Sequence, residues 1–147
     1  MINLYKSLLL TSAILMSSLG HAQLGGLGGV LGGGGGDSSG GDALKLQGEL
    51  ILGMSVAMNS FLKADAKFMS AIGLDAEAKK LLNLVEEPSE NDKKLGAKIK
   101  ASGEADKKMQ SFIDSGKELG DEGKKDLADG LLPYAVGMAS MIKMAKV

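Results

Sequence analysis

Few residue types in this chain could do chemistry, and the sulfur-bearing ones come first. Met54 and Met58 stand one helical turn apart, and Met138, Met141 and Met144 follow at steps of three near the C-terminus. A thioether is a soft ligand that binds Cu(I) without first losing a proton, which makes these five methionines the candidate metal ligands. Methionine also fills irregular helical cores, so core packing or a deformable apolar binding surface accounts for the same spacing. Two carboxylates occupy positions where an apolar side chain is expected: Asp65 within one helical stripe, and Asp106 near Ser102 on another. Brought together inside a bundle, Asp65, Ser102 and Asp106 would form a polar seam able to hold a proton or a metal. Near a helix end they would instead reach solvent or pair with lysine.

Ser60 with Lys63 and Ser140 with Lys143 each match S-x-x-K, the spacing at which a lysine can activate a serine one turn away. The companion motifs SDN and KTG are absent. A chain with this many serines and lysines produces such a match by chance. The only histidine is His21, and there is no cysteine, tryptophan or arginine. Beyond residue 22, therefore, there is no imidazole base, no thiolate nucleophile and no nitrogen and sulfur ligand set for zinc. No enzymatic activity and no cofactor are expected. Nucleic acid is excluded as a partner on similar grounds. All basic residues are lysines balanced by a slight excess of Asp and Glu, and only Phe61, Phe68, Phe112 and Tyr134 remain as stacking aromatics beyond residue 22.

The first residues carry an address. Lys6 is followed by an uncharged apolar run from Leu8 to Met16 and then by small and polar residues ending in Gly20, His21 and Ala22. This is the layout of a secretory signal peptide, residues 1–22, with cleavage after Ala22. The run is shorter than the ~20 apolar residues a membrane-spanning helix requires. The expected destination is the periplasm or the extracellular space. With no cysteine there are no disulfides, so the exported fold must rest on its core.

Residues 23–42 hold "LGGLGGVLGGGGGDSSGGD". Glycine loses the most backbone entropy on ordering and has no side chain to bury, so a disordered Gly-rich linker is expected. Gly32 to Gly40 also match the spacing of a calcium-binding β-helix turn once, but such turns close a site only in stacked copies, and Ser39 stands where an aliphatic residue belongs.

From residue 43 to 147 the spacing is helical, and the fold class expected is all-α: a small up-and-down bundle of about four helices. Ile51, Met54, Met58, Phe61, Leu62, Phe68, Met69 and Ile72 recur at steps of three and four, with Gly73 as the terminator. A second helix is predicted from an Asp75 N-cap to Pro88. A third is predicted to open on Ser89 and Asp92 in capping-box spacing, with its seam on Leu95, Ile99, Ser102, Asp106, Met109 and Ile113. Gly116, Gly120 and Gly123 predict a loop within residues 115–124. A short turn closed by Gly130 and a last helix starting at Pro133 follow, the latter with Tyr134, Met138, Met141, Ile142 and Ala145 on one stripe. Recurrent lysine pairs read as solvated faces. The two long uncharged segments, 50–62 and 131–142, are predicted to pack together.

The expected function is that of an exported, non-enzymatic binding or accessory protein that engages a protein, peptide or lipid of the cell envelope through an apolar surface between helices. The alternatives are a membrane-active helical protein that inserts or forms pores, and a Met-rich metal carrier.

Overall fold

The computed structural model describes residues 40–145. The expected signal peptide, and the expected linker up to residue 39, lie outside the described residues. Among the described residues there are four helices and no strand: α1 (Gly40–Ala71), α2 (Asp75–Leu82), α3 (Leu95–Asp114) and α4 (Asp121–Met144). The all-helical, up-and-down arrangement is as the sequence predicts, and α1 starts within the last three residues of the expected linker.

The central helix is α1, and the other three pack on it. Its apolar stripe is the predicted one, with Met54, Met58, Leu62, Phe68 and Met69 all buried. It ends at Gly73, whose φ of 80° lets the Leu74 N–H reach back to the Met69 carbonyl at 2.8 Å, the bond of a Schellman cap. Helix α4 returns antiparallel along α1, with Met144 over Gly53, Phe61 over Gly137 and Phe68 over Gly130. Helix α3 runs parallel to α1, because Ser55 bonds Asp92 just ahead of α3 while Asp65 bonds Ser102 one third of the way along it. The main core joins Leu62, Phe68 and Met69 to Leu81 of α2, Met109 of α3, Leu119 just ahead of α4 and Leu127 within it. The predicted pairing of segments 50–62 and 131–142 is present as the α1–α4 contact.

Three boundaries differ from the sequence expectation. Helix α2 stops at Leu82 and not at Pro88, because the chain must travel back along α1 before α3 can start. The Asn59 side-chain amide fixes that return by donating to the Glu86 carbonyl, and Leu84 and Val85 pack on the core. Asp75 is the first residue of α2, behind an N-cap at Leu74 that makes no side-chain bond. Helix α3 opens at Leu95 without a capping box: Ser89 Oγ accepts from the Asn91 N–H, and Asp92 turns its own chain by accepting the Lys94 N–H.

The largest difference is α4. It runs unbroken through Gly130 and Pro133, where the sequence predicts a closing turn and a new start. Its inward positions are Gly123, Leu127, Gly130, Tyr134, Gly137, Met141 and Met144, alternating steps of four and three. A Cβ at Gly130 would lie 2.5 Å from Phe68 Cε1, and one at Gly137 would lie 2.7 Å from Phe61 Cε1. A Cβ at Gly123 would meet the Ala71 carbonyl oxygen. These glycines are seats for α1, and the ring packing they allow outweighs the helix-breaking tendency of glycine and proline. The predicted stripe is corrected accordingly: Tyr134 and Met141 face α1, while Ile142 is 53% exposed.

Candidate functional site

Two layers of polar side chains are buried where α1 meets α3. In the first, Lys98 of α3 is 0% exposed and its Nζ lies 2.7 Å from Asp92 Oδ2, which also accepts the Ser55 hydroxyl of α1. Burial pushes the Asp92 carboxyl up, but bonds from Lys98, Ser55 and the Lys94 N–H outweigh it and hold its pKa below the ordinary carboxylate value. In the second layer, Asp65 of α1 is fully buried and accepts the Ser102 hydroxyl at 2.6 Å. Burial dominates here: it raises the Asp65 pKa well above the ordinary value, the Ser102 bond lowers it, and the charge of Asp106 raises it further. Tyr134 of α4 closes this layer. Its hydroxyl is buried with no hydrogen-bond partner, and its pKa is raised by burial and by Asp106 and Asp65. Its ring stands 5.6 Å from that of Phe61 and 6.4 Å from that of Phe68.

Of the three residues of the predicted polar seam, Ser102 bonds Asp65, and Asp106 lies close enough for its charge to raise the Asp65 pKa. The α3 register needs one correction: the buried positions are Leu95, Lys98, Ala105 and Met109, while Ile99, Asp106 and Ile113 are half-buried on the flank. Lys98 takes an inward position because Asp92 neutralises it there. Lys98 and Tyr134 are the residues that sequence reasoning missed. The available signals were a lysine at the a/d spacing between Leu95 and Ser102, and a tyrosine seven residues ahead of Met141.

Of the five candidate metal ligands, Met54 and Met58 are buried in a second cluster with Leu95, and Met141 and Met144 pack against it beside Ile51, Phe61 and Ile99. Met138 stays outside that cluster. The four sulfurs lie among aliphatic and aromatic side chains, an environment in which methionine fills space. Both S-x-x-K serines bond within their own helices, Ser60 Oγ donating to the Val56 carbonyl and Ser140 Oγ to the Val136 carbonyl. Among the described residues, no group of three or more His, Cys, Asp or Glu could hold a metal ion.

Comparison with known protein families, curated proteins and solved structures returned no match. What the chain can do chemically is therefore read from its surfaces. A groove between α2 and α3, floored by Met69, Leu81 and Ala105 and rimmed by Glu77 and Lys108, has a volume of about 130 Å³. That is well below the roughly 300 Å³ at which pockets for small ligands begin, and the buried polar layers do not open into it. Among the described residues, no helix is long and apolar enough to cross a membrane.

The outer face of α4 is of a different kind. Residues 130–142 carry no charge, and Leu131, Leu132, Ala135, Val136, Ala139 and Ile142 all face solvent. Leu132 is 73% exposed. Gly130 and Gly137 share the inner face with Tyr134 and Met141, while Leu131, Leu132, Val136 and Ile142 point outward.

The raised Asp65 pKa has a consequence for stability. In the unfolded chain this carboxyl ionises near its ordinary value of about 3.9, whereas the fold favours its protonated form, so this group makes the fold most stable at acid pH. Its contribution declines by about 1.4 kcal/mol per pH unit as pH rises from there to the folded-state pKa. Asp92 acts in the opposite sense, losing its contribution as pH falls through its depressed value. Asp65→Asn is expected to raise the melting temperature at pH 7 and to flatten the decline above pH 4. A variant less stable than the parent at pH 7, with the same pH slope, would contradict this.

Proposed function

We propose that this chain is an exported, non-enzymatic binding protein that docks a partner on the outer face of α4. One observation carries this reading: the uncharged, solvent-facing apolar surface from Leu131 to Ile142 on a helix that seats on α1 through Gly130 and Gly137. Contiguous exposed apolar patches rimmed by polar residues mark interaction sites more often than they occur idly on a monomer. The small volume of the α2–α3 groove favours this convex face over a cleft as the place of engagement. Export rests on the layout of residues 1–22. We rest the non-enzymatic character on the absence of His and Cys beyond residue 22 and on the burial of Asp65 and Asp92 away from the α2–α3 groove.

The membrane-inserting alternative has less support. The uncharged half of α1 places Met54, Ser55, Met58 and Asn59 inside the fold, with Ser55 and Asn59 bonded to the chain segment ahead of α3. A photo-crosslinking residue at position 132 is expected to give a discrete adduct in the envelope or the medium of the producing cell. The same residue at Glu122, exposed on the charged first turn of α4, is expected to give none. Absence of any adduct from position 132 would count against this function.

A further inference from the structure

We propose that the partner on this face is a second copy of the chain, paired antiparallel through α4 about a twofold axis at Val136. This proposal rests on the reading of α4 as a docking face and names its occupant. The outermost stripe of α4 is Asp129, Leu132, Val136, Ala139 and Lys143, every member exposed and spaced by alternating steps of three and four, the seam of a two-helix contact. Laid antiparallel on itself about Val136, this stripe is complementary in both size and charge. Leu132 falls opposite Ala139 of the second copy on either side of the axis, a large side chain against a small one. Leu131 flanks Ile142 of the second copy.

At each end Asp129 meets Lys143 of the second copy. An isologous contact repeats every pair twice, so one favourable match becomes two. No other exposed charge lies on this stripe between those ends. Asp129 has a competing contact with Lys67 of its own chain at 3.8 Å, but that lysine sits closer to Asp126, at 3.1 Å, and the Asp129 side chain remains 49% exposed. A lipid surface would not require an acid and a base at matched distances from one valine.

Sedimentation of the protein purified in the form its producing cell delivers tests this over a concentration series. A reversible dimer is expected. Val136→Glu sets two like charges on the axis and should raise the dimer dissociation constant about a hundredfold. Asp129→Lys and Lys143→Asp should each weaken the dimer about tenfold, and the double exchange should restore it to within about threefold of the parent. Far-UV circular dichroism and melting identify variants that remain folded. A parent that stays monomeric at all concentrations overturns the proposal, as does a dimer indifferent to Val136→Glu or a double exchange that fails to recover. If the chain is monomeric and position 132 crosslinks to a different protein or to lipid, self-pairing is wrong while the docking face stands. If position 132 crosslinks to nothing, the docking face fails as well.

Discussion

Lys98→Ala is expected to destabilise the fold by about 3 to 5 kcal/mol, because it leaves the Asp92 carboxylate buried without its cation. Lys98 is 0% exposed, and the Asp92 side chain is 1% exposed, so water reaches neither to compensate. A small domain has only about 5 to 15 kcal/mol in total, so the variant should unfold well below the parent temperature. The penalty belongs to the orphaned charge more than to the lost bond. The double variant Lys98→Met with Asp92→Asn should therefore recover most of the loss, since an asparagine oxygen can still accept the Lys94 N–H and a methionine refills the space. Thermal melts of the three proteins check this. A Lys98→Ala melt within a few degrees of the parent would mean that the pair is open to water.

Met58→Asp is the second large effect. Met58 is 5% exposed in the cluster with Met54 and Leu95, against which Phe61, Ile99, Met141 and Met144 pack. A carboxylate there has no cation partner, so it must stay protonated or force α1 and α4 apart, at a cost of at least several kcal/mol. The variant should lose most of its cooperative transition. Lys63→Asp, on the exposed side of the same helix, should melt nearly as the parent does. Equal melts for both substitutions would show that Met58 lies on a free surface.

Much of this architecture is legible in the sequence, because burial on α1 follows helical periodicity. The stripe from Met54 to Met69 and the stop at Gly73 need no tertiary information. The Asp65 and Ser102 seam is also visible, as polar residues at apolar positions. What escapes is every feature decided by a partner element. Residues 83–87, and those from Ser89 to Lys94, read as the end of one helix and the start of the next but lie outside both, with Asn59 holding the Glu86 carbonyl and Asp92 paired with Lys98. Lys98 reads as a surface lysine until its counter-charge is placed. Gly130 reads as a terminator because a lone sequence shows only its low helix propensity and not the ring that needs its space. The readable trace was a coincidence of period: Phe61 and Phe68 are seven residues apart, and so are Gly123, Gly130 and Gly137.

That seating leaves Leu131, Leu132, Val136 and Ile142 of α4 pointing outward as the proposed docking face. It is tested most directly by melting two variants with the same substitution, Gly130→Ala and Gly103→Ala. Alanine favours helix over glycine by about 1 kcal/mol at either position. At Gly103 the added methyl meets open space, so the melting temperature should rise by about 4 to 8 °C. At Gly130 the methyl lands 2.5 Å from Phe68 Cε1, a ring that is 3% exposed. Overpacking of about 1 to 3 kcal/mol then exceeds the propensity gain. The two shifts should have opposite signs, up for Gly103→Ala and down for Gly130→Ala. A rise in both would mean that α4 does not sit on α1 through its glycines.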